Sequence, residues 1–305
     1  MLAAMSKFPA PSSHRGPPAN VAGCIDLHMH SRCSDGEQQP EFLVEWAAAL
    51  GLQTISLTDH DTTRGVERAI KAGNQLGVEV IPGCEISVKL SGGTFHLLAY
   101  GYDPNDQNFD ARLREIAAKR EARNRNILQA LAELGMPMAY GELTAQAGEA
   151  VVGRPHIAAL MVRKGYAQSQ QEAFDKWIAN DGPAYFEKDT FGPQEALGFV
   201  REHNAVPVLA HPYWLNRGSL AATEEYLREM KGYGLMGIEA IYPDHDAEWT
   251  QGLLAIASRL GLIVTGGSDY HGGKTKPHTT LGHGEGGGFK VPAALLDSLR
   301  NACRA

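Results

Sequence analysis

The 305-residue chain has no apolar run approaching the ~20 residues that a membrane-spanning helix requires, which excludes a helical membrane protein. Cysteine is scarce. Cys24, Cys33, Cys84 and Cys303 form no CxxC pair, so a disulfide framework and a structural zinc knot are both disfavoured. The four read as small core residues of a protein kept in a reducing cytoplasm. Positive charge is also in short supply: a formal charge of -7 and a pI near 5.9 leave no broad basic surface for tracking long duplex nucleic acid. An anionic substrate must therefore be held locally, and bound divalent cations would invert the field at one point of an acidic exterior. Residues 1–22 lack the continuous apolar stretch of a secretory signal and read as a flexible leader. No obligate protein partner is evident.

Seven short segments rich in Val, Ile, Leu and Thr are present: Ile25 to His30, Thr54 to Thr58, Val78 to Pro82, Thr94 to Tyr100, Val206 to Ala210, Gly237 to Ile241 and Leu262 to Gly266. Helical spacing fills most of the intervals, as in Glu41 to Leu50 and Glu248 to Leu260. This alternation predicts an α/β fold of parallel strands, best met by an irregular (β/α)7 barrel whose chemistry sits at the strands' C-terminal ends. Between the fourth and fifth strands the strand signal disappears and helical patterns take over. The expected organisation is a barrel from 23–102 and 193–305, with a helical insertion at 103–192 that caps its mouth. The glycine-rich stretch Gly282 to Gly288 reads as a mobile loop.

In Asp26-Leu27-His28-Met29-His30, strand alternation sends both imidazoles to one face. Acids and histidines close nearly every other strand: Asp59-His60-Asp61 the second, Glu85 the third, His211 the fifth, and Asp269 and His271 the seventh, with His96 inside the fourth. Meeting at one rim, they form a donor set of imidazoles and carboxylates suited to manganese, iron or zinc, with a carboxylate able to bridge two ions. Asp26, Asp59 and Asp61 are expected to orient imidazoles by accepting a ring N–H, with an exposed loop position as the alternative for Asp61.

These motifs, DxHxHS, TDHD, GxE, a lone His, AHP and GSDxH, occur in the order found in the PHP (polymerase and histidinol phosphatase) superfamily, which the chain resembles from about residue 23 to 290. The resemblance implies a trinuclear site: His28, His30, Glu85 and Asp269 on one ion, Glu85, His96 and His211 on a second, and Asp35, His60 and His271 on a third. Two to three divalent ions are thus expected, manganese foremost, with iron, zinc or magnesium as alternatives. Asp269, His271 and Glu85 are the expected catalytic residues. His245, just past the sixth strand, is a further candidate that could protonate a leaving group, or else a solvent-exposed loop histidine.

Within the insertion, Gly153-Arg154-Pro155-His156-Ile157-Ala158 sets Arg154 and His156 before an apolar helix, an arrangement suited to a phosphate group. It resembles the segment in superfamily members that hydrolyse 3′,5′-nucleotide bisphosphates and short 5′-phosphorylated RNA. The expected substrate is a small nucleotide or a short single-stranded RNA end, and the expected reaction is loss of the 3′-phosphate after in-line attack by water. Histidinol-phosphate phosphatase and a non-catalytic polymerase-associated module are the rival readings.

Overall fold

The computed structural model describes residues 24–90, 93–147, 152–187, 189–273, 275–276, 279–282, 284–285 and 290–304. The expected leader and most of the glycine-rich stretch lie outside them.

In chain order the elements are β1 (Cys24–Ile25), α1 (Pro40–Leu50), β2 (Thr54–Leu57), α2 (Val66–Leu76), β3 (Glu79–Val88), β4 (Phe95–Tyr100), α3 (Gln107–Glu133), α4 (Tyr140–Ala147), α5 (Arg154–Arg163) and α6 (Gln170–Ala173), which a π-helical turn over Phe174–Ile178 extends. There follow α7 (Pro193–Glu202), β5 (Val206–Leu209), α8 (Leu220–Gly232), β6 (Gly237–Ile241), α9 (Ala247–Leu260) and β7 (Ile263–Gly266), then the short strands β8 (Thr279–Thr280), β9 (Gly284–Glu285) and β10 (Val291–Pro292), and α10 (Leu296–Cys303). Helix ends follow local chemistry. Pro40 opens α1, Asp246 accepts the Trp249 N–H to cap α9, and Gly51, Gly77 and Gly261 close α1, α2 and α9 with left-handed backbone.

Strands β2 to β7 form one six-stranded sheet in sequential order. The segment after β1 joins its two edges: Asp26 bridges Ile55 and Met29 bridges Tyr270, while the Leu27 amide donates to the Gly266 carbonyl. The sheet therefore curls as a barrel of the expected class. Ile25, Leu27, Ile81, Leu98 and Val208 belong to one buried cluster, and a second, larger one joins the sheet to α7, α8 and α9.

One expectation fails. The strands are not all parallel: β4 runs antiparallel to both β3 and β5, returning from β3 as a hairpin with no helix between them. Reversal puts the start of β4, rather than its end, at the rim. His96 pairs with Ser87 in that register and so faces the same opening as the C-terminal ends of its neighbours.

Among the described residues, the elements from α3 to the π-helical turn are all helical. Ile127, Leu131, Leu143, Ile157, Leu160 and Ile178 belong to a buried cluster drawn wholly from residues 127–184. The N-terminal half of the 27-residue α3 packs on the barrel through Phe109, Leu113 and Ile116, while its C-terminal half enters the helical cluster.

Candidate metal centre and anion cleft

At the barrel rim, backbone geometry is under constraint. Asp61, His211 and Asp269, leaving β2, β5 and β7, all have positive φ (51°, 29° and 51°), a left-handed region that costs a non-glycine residue free energy. Gly267 lets the β7 exit lie against the segment that follows β1, since a Cβ there would overlap the backbone and Cβ of His28. Asp26 pins the same junction by accepting from the Ser268 amide (2.9 Å), the Ser268 hydroxyl (2.6 Å) and the Gly282 amide (2.8 Å).

Glu85 lies at the centre, with each oxygen facing a different set of rings. Its Oε2 is 3.2 Å from His28 Nε2, 3.1 Å from His30 Nε2 and 3.2 Å from His60 Nδ1. Its Oε1 is 2.9 Å from His96 Nδ1 and 3.0 Å from His211 Nε2. Asp269 Oδ1 is 3.5 Å from His28 Nε2 and 3.2 Å from His30 Nε2. Asp35 is 3.3 Å from His271 Nε2, 3.5 Å from His30 Nδ1 and 3.8 Å from His60 Nε2.

Three donor groups result, each with its atoms within 4.8 Å of one another: His28, His30, Glu85 and Asp269; His30, Asp35, His60 and His271; and His60, Glu85 and His96. Eight of the nine expected ligands belong to these groups. The ninth, His211, adjoins Glu85 but falls in none of them, whereas His30 and His60 each belong to two.

The donor set fits divalent cations. His28 Nδ1 is 2.9 Å from Glu239 Oε1, an acceptor, so Nδ1 carries the hydrogen in neutral His28 and Nε2 presents a lone pair. That lone pair faces His30 Nε2 at 3.2 Å and the oxygens of Glu85 and Asp269. Four acceptor atoms pointed at one another repel unless a proton or a cation lies among them. Asp269 Oδ1, His60 Nδ1 and His211 Nδ1 are buried without a hydrogen-bond partner among the described residues.

The charges respond accordingly. Burial disfavours protonation of His30, but its contacts with Asp269 and Glu85 prevail and hold it up at about 10. His60, where burial is joined by the rings of His30 and His96, is driven down to about 3 despite Glu85 and Asp35. Burial pulls the Glu85 carboxyl up, but the surrounding imidazoles, His60 and His28 first, keep it well below the usual range. Asp269 and Asp35 behave likewise, each opposed by burial and held low mainly by neighbouring histidines.

Several supporting residues carried no motif in the sequence reading. Glu239 reaches both His28 Nδ1 and the His211 amide (2.8 Å). Asp269 Oδ2 is held by the Tyr242 hydroxyl (2.8 Å) and paired with Lys276. The role expected of Asp26, Asp59 and Asp61 is not met among the described residues, where none of them accepts a ring N–H. Asp59 instead binds the Ser31 amide and hydroxyl and the Ser34 hydroxyl, and Asp61, buried rather than exposed, accepts from the Ser87 amide and Arg120. His245 is likewise buried rather than exposed in a loop. Its Nδ1 donates to the Ala240 carbonyl (3.1 Å), and it does not line the cleft.

Above the ring opens a cleft of about 710 Å³, with His60, His96 and His271 on the barrel side and Arg120, Arg154 and His156 among the residues opposite. Arg154 is the first residue of α5, and its Nη1 donates to the Ile178 carbonyl (3.2 Å). Its guanidinium lies near the rings of Phe174 and Tyr185. His156 Nδ1 accepts the Gly153 amide (3.2 Å), which leaves Nε2–H as the donor. Burial lowers its pKa, against a weaker opposing pull from Asp35, so the imidazole is neutral at pH 7.

A curled α/β barrel whose rim gathers clustered histidines and carboxylates defines the class of metal-dependent hydrolases built on strand-end donor sets. Residues 26–178 match the model of the PHP domain, and the chain belongs to that family. It is similar to a 3′,5′-nucleoside bisphosphate phosphatase of Chromobacterium violaceum (29% identical, covering 84% of this chain and 91% of that one) and to a 5′-3′ exoribonuclease of Haemophilus influenzae (30%; 81% and 89%). A phosphoribosyl 1,2-cyclic phosphate 1,2-diphosphodiesterase of Eggerthella lenta is 31% identical over 88% of this chain and 99% of its own. Among solved structures, a protein of Bifidobacterium adolescentis described as a metal-dependent phosphoesterase superposes with a TM-score of 0.76 at 30% identity, covering 91% and 96% of the two chains. No helix among the described residues is long and apolar enough to cross a membrane.

Proposed function

We propose that this chain is a metal-dependent phosphoesterase that removes the 3′-phosphate from nucleoside 3′,5′-bisphosphates, giving the 5′-monophosphate, and that it also shortens 5′-phosphorylated single-stranded RNA from its 5′ end. The observation that carries the reading is a cleft with two unlike walls: a ring of metal-donor groups on the barrel, and Arg154 with His156 opposite. Two phosphates on one nucleoside match two subsites, and binding energy from the second positions the first.

His28, His30, Glu85 and Asp269 would hold one ion; Glu85, His96 and His211 a second; Asp35, His60 and His271 a third. Glu85 suits the bridging position because its two oxygens face different rings. Imidazole with carboxylate makes manganese our first choice among iron, zinc and magnesium. When bound, these cations polarise phosphoryl oxygens and acidify water.

The chain's own part is to hold and orient. Glu239 fixes the His28 ring, Tyr242 and Lys276 fix Asp269, and the His271 Nδ1–H donates to the Asp269 carbonyl (2.8 Å). Lys276 also lines the cleft, where its charge can answer that developing on the phosphoryl group. Arg154 and the His156 Nε2–H address the non-reacting phosphate. His245 packs against Tyr242, with ring centroids 5.2 Å apart, and so acts on Asp269 by positioning rather than by touching substrate. The helical segment over 103–192 serves as the substrate-capping unit. The free thiols suit a cytoplasmic setting. Relatives acting on a nucleotide bisphosphate and on RNA support this reading over a histidinol-phosphate phosphatase or an inert module.

Metal content and phosphate release measured on the same preparation test it. With two to three ions per chain, adenosine 3′,5′-bisphosphate should outpace 3′-AMP, 5′-AMP and histidinol phosphate, yield 5′-AMP, and stop reacting on chelation. Adenosine 3′-phosphate as the main product, or equal rates with mononucleotides, would sink the two-subsite scheme.

A further inference from the structure

The barrel side of the cleft is lined from β3, β4 and the segments that follow β1, β2 and β7, whereas the segments after β5 and β6 supply none of its lining residues. In that sector of the rim two large aromatic side chains stand in solvent. Tyr213 is 42% and Trp214 44% exposed, two and three residues after His211, whose ring lies 3.0 Å from Glu85. Two residues of chain span about 7 Å at most, so the pair begins beside the donor groups.

The pair is firmly held. Pro212–Leu215 make a single 3₁₀ turn between His211 and Asn216, both of positive φ (29° and 53°). Leu215 is buried beneath the turn, the Trp214 carbonyl accepts the Thr94 amide (2.8 Å), and the Trp214 amide donates to the His211 carbonyl (3.0 Å). Tyr213 meets Trp214 edge-on, with ring centroids 5.6 Å apart, and Trp249 of α9 in the same way at 5.1 Å. A turn anchored by Leu215 needs no aromatic rings on its outer side, and two of them exposed there mark a contact surface.

Size and charge narrow the occupant. The two exposed rings together offer on the order of 200 Å², far short of the roughly 800 Å² per partner of a stable protein interface. They suit one or two flat rings of a ligand. Charge does not recruit a polyanion here: Asp244, Asp246 and Glu248 are exposed on the neighbouring segment, and Arg217 holds its guanidinium over the Tyr226 ring, 4.0 Å from the centroid. A nucleic-acid strand would turn its phosphates to solvent and its bases to the rings, binding by stacking rather than by ion pairs.

We propose that Tyr213 and Trp214 form a stacking platform for the bases of single-stranded RNA that follow the nucleotide being removed, so that the strand leaves the cleft over the β5 and β6 sector of the rim. This rests on the RNA-shortening activity proposed above. The platform selects no sequence, since every base offers a face to stack on, and it lets an acidic protein hold a strand without a basic track. A nucleoside bisphosphate has no base to place there.

The test uses the full-length, metal-loaded protein with adenosine 3′,5′-bisphosphate, a 5′-phosphorylated dinucleotide and a 5′-phosphorylated strand about six nucleotides long. The kcat/KM of the parent should rise from the dinucleotide to the longer strand. Replacing both Tyr213→Ala and Trp214→Ala should lower kcat/KM for the longer strand by roughly 5- to 100-fold and leave that for the bisphosphate unchanged, which also reports an intact fold. Trp214→Phe, which keeps a ring, should retain most of the parent's rate on the longer strand. Raised salt should leave the gain with length largely in place, because stacking is not screened as phosphate contacts are. Binding of a phosphorothioate-linked strand should quench the tryptophan fluorescence of the parent, and Trp214→Phe should remove most of that quenching.

Equal kcat/KM for the longer strand in the parent and the double variant, with bisphosphate turnover intact, overturns the platform and leaves the function proposed above standing. So does a double variant that loses a self-association of the parent on sedimentation but keeps the preference for longer strands, which assigns the rings to a second copy of the chain. A parent whose fluorescence the strand quenches through Trp214, but which never shortens that strand, keeps the platform and overturns the RNA-shortening reading.

Discussion

On the barrel side of the cleft, a single carboxylate, Glu85, lies within 3.2 Å of five imidazoles, and Asp269 and Asp35 share the same rings. On the opposite side, Arg123 and Arg154 face no carboxylate among the described residues, and His156 is neutral. The barrel wall has lone pairs in excess and accepts cations. The insertion wall has N–H donors in excess and accepts anions. A phosphorylated substrate can satisfy both only by lying between them, so the asymmetry serves binding and orientation together.

The largest expected effect breaks the barrel wall. Glu85→Ala should lower phosphate release by at least roughly 1,000-fold and remove at least one ion per chain, more than loss of any single histidine, because both carboxylate oxygens are in use. Glu239→Gln, which disturbs only the orientation of His28 and His211, should weaken metal affinity about 10- to 100-fold. Metal analysis by mass spectrometry alongside the kinetics checks both. A Glu85→Ala protein that keeps its metal and its rate would contradict the central position given to this carboxylate.

The next effect isolates the other wall. Arg154→Ala should lower kcat/KM for nucleoside bisphosphates by about 10- to 1,000-fold with the metal content of the parent. Coupled loss of metal would mean that the two walls are not independent. Unchanged kinetics would return Arg154 to a role in holding the Ile178 carbonyl alone.

The smallest effect concerns the arm that carries the arginines. Asp106 caps α3 by accepting from the Asn108 and Phe109 amides and receives His203 Nδ1 at 2.5 Å, and these contacts, that with His203 first, lower its pKa. A depressed folded-state value means that the stabilisation is present above the ordinary carboxylate pKa and fades as pH falls through the lower one. Asp106→Ala should thus lower Tm by about 2–4 °C at neutral pH, with the gap to the parent closing in acid below pH ~3.8. A gap independent of pH across that range would remove the charge from the account.

Much of the ring was legible because strand alternation and strand-end position are local properties. Asp26-Leu27-His28-Met29-His30 sends its two imidazoles to one side whatever else the chain does, and their Nε2 atoms lie 3.2 Å apart. Arg154 and His156 were readable for the same reason, as residues at a helix start. Glu239 left a trace that went unused, a lone acid inside the apolar run Gly237–Ile241. So did Arg120 and Arg123, which interrupt the apolar stripe of α3.

By itself, then, the sequence determined the α/β class, the donor types at the rim and the acidic exterior, because residue period and composition act over a few neighbours. The tertiary structure decided the direction of β4, and with it how His96 reaches the ring, since a hairpin and a crossover differ only in where the next strand finds an edge to pair with. It also decided that Arg120 meets Asp61 while Arg123 is paired with no acid among the described residues, because the counter-charge of a buried group is fixed by which elements pack against it, across 59 residues in the first case.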